Sequence, residues 1–244
     1  MHVKMLDGRV VERAKARGID VLVYAPHFTR LPAIREQAER HSDDELLVVP
    51  AREIFTGNWQ NRRHLLAVGL SEPVPDFISF EGALSTLAEQ EAALCVPHPT
   101  LLNVSFGRPE IRAYADHIDA VESYNVKSPP HVNSRAKRII EEAGLPSFGS
   151  SYAHLRGSIG EAWTEFDADI QSEADLVEAL VSGADRQVVH HAGPRHRFWN
   201  AAEFAHLGYE NSWGKVDRLF LSGTEPTHPD HIAYEGRFDD VAVY

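Results

Sequence analysis

Short apolar runs alternate along the chain with longer stretches in which apolar residues recur every three or four positions. The runs at residues 21–24, 47–49, 64–68, 92–96, 118–124 and 146–149 have the length and bounding turn residues of buried strands, and a strand-like AWTEF follows at 162–166. Helical patterns lie between most of them. Asp7 is placed to cap a helix through Val10, Val11 and Ala14 that Gly18 stops, Pro32 opens a second over 32–41, and Ser79 caps a third through Leu84, Leu87 and Ala88. Further helices are predicted over 109–115, over 133–143 with Gly144 as the stop, and over 174–180 behind Ser172. About seven strand and helix pairs predict an α/β fold: a closed or nearly closed parallel barrel, with a doubly wound open sheet as the alternative. Past Gly183 the alternation fades, so residues 1–183 read as the barrel and 184–244 as a C-terminal extension packed on it.

Within this pattern the stretch 47–70 reads as a strand, a turn-rich loop and a second strand, with Glu53 and His64 where strand and loop meet. A carboxylate and a neutral imidazole so placed are suited to share a zinc, manganese or iron ion. Taken alone, the stretch favours a solvated Glu53 and a core His64. Other strand ends carry the same chemistry: His27 after VLVYAP, His98 in ALCVPHP, Glu122 and Asn125 in DAVESYN, and His154 in FGSSYAH. In a β/α chain these ends converge on one face, where active sites gather.

Composition narrows the setting. With 244 residues, 43% of them hydrophobic, the chain suits one main domain with a well-formed core. The single cysteine, Cys95, excludes an internal disulfide and predicts a reducing, cytoplasmic environment. No run approaches the roughly 18–20 apolar residues of a membrane span, and the N-terminus has no apolar signal core. A formal charge of -12 disfavours long nucleic acid as a partner. Neither GxGxxG nor GxxxxGK(S/T) occurs, so dinucleotide and P-loop phosphate binding have no support. Of the 14 histidines, His41, His117 and His131 read as solvated, whereas His190, His191 and His196 fall with Arg195 and Arg197 in a basic stretch able to line a site mouth. Phe198 and Trp199 read as core of the extension, and the long loop at 100–107 as a cover for the site.

Taken in order, these elements resemble the PHP (polymerase and histidinol phosphatase) superfamily of metal-dependent phosphoesterases, from His2 to about Leu180. The family's HxH and following acid resemble His2-Val3-Lys4 and Asp7-Gly8; its TDH, Ala25-Pro26-His27; its GxE, Ala51-Arg52-Glu53; its H-(I/L)-L-G, His64-Leu65-Leu66-Ala67. Its AHP is similar to Pro97-His98-Pro99, its EvyN to Glu122-Ser123-Tyr124-Asn125, and its GSDAH with a later IG to Ser150–His154 with Ile159-Gly160. The resemblance implies a distorted (β/α)7 TIM-like barrel with metals at the C-terminal strand ends. In the family one ion uses both HxH histidines, the glutamate and the GSDAH aspartate; here Lys4 and Tyr152 replace two of these beside His2, so that position is empty or its charge is mimicked by Lys4. A second set matches fully as Glu53, His64 and His98, and a third as His27 and His154 with Asp7. The implied cofactor is one to two divalent ions (Zn, Mn or Fe). The implied activity is hydrolysis of a small phosphate ester, against the alternative of a non-catalytic binding or scaffold protein that retains one metal. No oligomeric state follows from the sequence.

Overall fold

The computed structural model describes residues 1–27, 29–57, 62–101 and 104–216. A seven-stranded sheet carries the strands in chain order, β1 (His2–Val3), β2 (Val21–Tyr24), β3 (Leu47–Thr56), β4 (Arg63–Val68), β5 (Ala93–Val96), β6 (Ala120–Asn125) and β7 (Ser147–Ser150). A parallel bridge from Val3 to Ala153, just past β7, links the two edges, so the sheet curls into a nearly closed barrel, as expected, and not into an open doubly wound sheet. One feature of the expectation is corrected: β4 runs antiparallel to both β3 and β5, while the remaining pairs are parallel. Six residues separate β3 from β4, too few for the crossover that a parallel connection needs.

The helices follow the local signals. Asp7 caps α1 (Gly8–Lys15) by accepting from Val10 N at 2.9 Å, and Ser79 caps α3 (Phe80–Glu89) by accepting from Gly82 N at 3.0 Å. Between these, α2 spans Leu31–His41, with Pro32 in its first turn. After α4 (Arg108–Ala113), α5 (Pro130–Ala143) begins three residues before its predicted start, because a proline at the first helical position forgoes only an N–H that would have no helical partner. Ser172 caps α6 (Glu173–Val181). The barrel interior is filled by Val49, Leu66, Cys95, Ala120 and Phe148, joined by Leu176 and Leu180 of α6. A second cluster, including Leu65, Leu87, Val96, Ile111 and Ile139, seats α3, α4 and α5 on the barrel wall.

Regular structure continues beyond Gly183. β8 (Ala162–Phe166) pairs antiparallel with β9 (Arg186–His190), so residues on either side of position 183 share one hairpin, and α7 (Pro194–Asn211) and α8 (Trp213–Val216) follow. The periodicity missed α7 because its apolar residues are not gathered on one buried stripe: Phe198, Phe204 and Tyr209 are all exposed. Phe198 is thus no core residue. Trp199, in contrast, lies so close over Gly157 that a Cβ there would come within 1.8 Å of the indole. The part of the extension past residue 216, including His228 and His231, lies outside the described residues. Among the described residues no helix is long and apolar enough to cross a membrane.

Candidate metal centre

In the β3–β4 register Glu53 stands opposite Leu66 and Phe55 opposite His64, so all four share one face and Glu53 and His64 are diagonal neighbours. His64 Nδ1 lies 2.6 Å from Glu53 Oε1. His98, two residues past β5, brings Nε2 to 3.3 Å of the same oxygen, and the Tyr152 hydroxyl donates to it at 3.1 Å. The Lys4 ammonium contacts Glu53 Oε2 and donates to Ala25 O at 2.8 Å. His2 and His27 stand farther out, with Nε2 at 3.9 Å from Oε2 and 3.8 Å from Oε1. Glu53 is completely buried at the centre of this ring of cations and imidazoles.

The arrangement suits a metal ion. The donor atoms of Glu53, His64 and His98 all lie within 4.8 Å of one another. His64 Nε2 and both ring nitrogens of His2 are buried without a hydrogen-bond partner among the described residues, a costly state for a polar atom unless something else binds it. The Ser105 hydroxyl donates to Leu101 O, so it accepts from His98 Nδ1–H at 2.9 Å and leaves the Nε2 lone pair facing Glu53. Two imidazole nitrogens and a carboxylate oxygen are a donor set for zinc and similar ions.

Electrostatics point the same way. Burial pushes His64 down to about 4 against the pull of Glu53, and burial first and Lys4 second hold His2 and His27 well below the usual range. Burial and then Lys127 do the same to His154. These imidazoles are therefore neutral at pH 7, the form that ligates. Burial alone would raise the Glu53 carboxyl, but Lys4, His27 and His64 outweigh it and keep the group ionised. Lys4 is brought down to about 8, by burial opposed by Glu53. A pH dependence follows for the metal-free protein. The unfolded chain takes up protons at these histidines near pH ~6.5, the folded chain only nearer the lowered values, so stability is complete above about pH 6.5 and is lost as pH falls toward 4. The chelated protein should melt more than about 5 °C lower at pH 5 than at pH 7. A melting temperature flat over that range would mean that the imidazoles titrate alike in the folded and unfolded chain.

Not every expected ligand joins the cluster. Asp7 accepts from Val10 N and is held by Arg156 at 2.6 and 3.1 Å, so its carboxylate serves as a helix cap and a surface ion-pair partner. An acid immediately before a helix is captured by the free N–H groups of the first turn, and this local demand prevails here. His154 places Nε2 3.2 Å from Lys127 Nζ and Nδ1 3.1 Å from Tyr152 O. Lys127 is buried, with its ammonium 4.8 Å from the centre of the Tyr152 ring. The sequence reading missed it; its one signal is its place two residues past the end of β6. Also missed were Ser105 and two residues of α7: Glu203, which accepts from His154 N at 3.1 Å and Leu155 N at 2.9 Å, and His206, whose ring lies 5.8 Å from that of His154. His117 and His131 are exposed as expected, and His196 is buried on α7.

Glu122 and Asn125 support the centre from behind. Glu122 accepts from His98 N at 2.6 Å, Asn125 Nδ2 at 2.9 Å and Ser150 Oγ at 2.6 Å. His98 adopts φ +35°, a strained backbone for a residue other than glycine, and the Glu122 bond holds it there. Glu122→Ala should therefore weaken metal binding about 10–100-fold without removing a ligand, measured by competition with a chromophoric chelator. Parent-like affinity in that variant would show that His98 keeps its pose unaided.

Comparison with known proteins bears on the fold and one segment. A model described as PHP-associated matches residues 130–184. No curated protein matches the chain in sequence. Among solved structures, PsfC from Pseudomonas syringae superposes with a TM-score of 0.66 at 16% identity, covering 85% of this chain and 97% of that one. A two-domain protein from Bacteroides vulgatus, containing a predicted PHP-like metal-dependent phosphoesterase, gives 0.58 at 20% identity over 78% of this chain and 63% of that longer one. An amidohydrolase from Chromobacterium violaceum, with sulfate bound and no metal, gives 0.53 at 12% identity over 78% of this chain and 97% of that one. At these identities the likeness is one of fold.

Proposed function

We propose that the chain is a PHP-type, metal-dependent hydrolase acting on a small phosphate ester, a reading supported by its fold and its PHP-associated segment. The observation that carries this reading is the buried Glu53, His64 and His98 triad, with its donor atoms within 4.8 Å of one another. These three residues would hold a divalent ion. When bound, such an ion polarises a phosphoryl oxygen and brings the pKa of water toward ~7.

The protein's own groups supply the rest. Glu53 offsets positive charge at the centre, and His64 stays neutral because burial disfavours its charged form. Lys4 anchors Glu53 from one side, and Lys127 beside His154 puts a second ammonium at the same face. Two buried cations next to a donor cluster favour an anionic substrate, and the half-buried His27 marks the side from which it enters. A second reading has its own observation. Lys4 and Tyr152 both bond Glu53, where the family resemblance implies two further ligands, and that saturation suits a non-catalytic protein retaining one metal. Elemental analysis with a turnover assay separates the two. About one equivalent of divalent metal per chain, with aryl phosphate hydrolysis abolished by chelator, supports the hydrolase; one equivalent with no turnover supports the binding protein; no metal removes both.

A further inference from the structure

Outside the metal centre, one polar cluster has no part in the chemistry above. The Tyr124 hydroxyl lies 2.6 Å from His196 Nε2, His196 Nδ1 lies 3.1 Å from Glu161 Oε2, and Arg17 donates to Glu161 Oε1 at 2.8 Å. His190 stacks flat on the Tyr124 ring, with centroids 4.0 Å apart and planes 5° from parallel. His196 and Glu161 are buried, so this relay is fixed in place. Tyr124 and His196 line a cavity of about 230 Å³ between α5 and α7, together with Asn133, Lys137, Arg197 and Asn200.

The lining has a definite chemistry. None of the residues around the cavity is acidic, in a chain whose net charge is -12. Lys137 and Arg197 are exposed cations with no ion-pair partner among the described residues. A volume below the roughly 300–1,000 Å³ of drug-sized sites restricts the occupant to a small molecule or group. Two cations with no acid among the lining residues match a dianion better than a monocarboxylate, and the Arg197 guanidinium fork presents paired N–H groups to phosphate oxygens. We propose that this cavity binds a small phosphate-type dianion, either inorganic phosphate or the phosphate group of a monoester, at a site separate from the metal centre. Its walls also brace that centre. Asn133 Oδ1 accepts from Asn125 N and Asn133 Nδ2 donates to Asn125 O, both at 3.1 Å, while Asn200 Nδ2 donates to Ser128 O at 3.2 Å. These bonds hold the 125–128 turn that carries Lys127, so the occupant sits one turn away from the residue that faces His154.

Isothermal titration of the chelated, metal-free protein with inorganic phosphate tests the assignment independently of any catalysis. The parent should bind one equivalent at the cavity, and Lys137→Glu with Arg197→Glu should bind at least about tenfold more weakly. Should the charge-reversed variant melt early, Lys137→Gln with Arg197→Gln repeats the comparison. Unchanged binding in the cavity variants, or no binding in the parent, would each overturn the proposal. Glycerol phosphate in parallel distinguishes an ester from the free ion as the preferred occupant, and acetate binding as tightly as phosphate would contradict a dianion site.

Discussion

Glu53→Gln should leave the protein without bound metal and melting about 10 °C below the parent. The substitution keeps size and shape but removes the one carboxylate in a fully buried cluster. An ion there would lose its only anionic ligand. The Lys4 ammonium would lose its counter-charge in a site it cannot leave without breaking its bond to Ala25 O. Removing one partner of a buried ion pair costs about 3–5 kcal/mol, which in a chain of this size corresponds to a shift of about 10 °C. Single histidine changes should be milder, since each removes a neutral donor and leaves the charge balance intact. Metal content equal to the parent's would end the assignment of Glu53 as the central ligand.

The second large effect is a gain. Lys4→His combined with Tyr152→Asp should raise metal content by one ion and raise hydrolysis of a generic aryl phosphate when metal is supplied. Both residues touch Glu53 directly, Lys4 at Oε2 and Tyr152 at Oε1, and the Tyr152 ring lies 5.2 Å from that of His2. The double change removes one positive charge, adds one negative charge and supplies two ligands next to His2 and Glu53. The backbone favours it as well, because Tyr152 sits at φ +43°, a conformation that aspartate adopts more readily than an aromatic residue. Without metal the variant should be less stable than the parent, since two carboxylates then face each other in a buried site. A folded variant that gains the ion yet turns over no faster than the parent would favour the non-catalytic reading, and one that gains no ion would show that Lys4 and Tyr152 do not mark an ion position.

Residue patterns by themselves determined much of this protein. Apolar runs and capping residues placed the barrel strands from β2 to β7 and the helices through α6, because those signals are local: Asp7, Ser79 and Ser172 bond N–H groups of the helices they open. The order of histidines and acids at strand ends pointed to Glu53, His64 and His98 on one face, and the family resemblance pointed to Lys4 and Tyr152 beside Glu53; in the fold all five lie around Glu53, His64 reaching it from the start of the reversed β4. Only the tertiary structure decided the rest. The capture of Asp7 combines a local cap with Arg156, far away in the chain. Lys127 and Ser105 matter through the Tyr152, His154 and His98 side chains they meet across the barrel, and α7 through Glu203 holding the His154 backbone. Such contacts join residues separated by loops whose course no periodicity encodes, so their energies become visible only when the chain has folded.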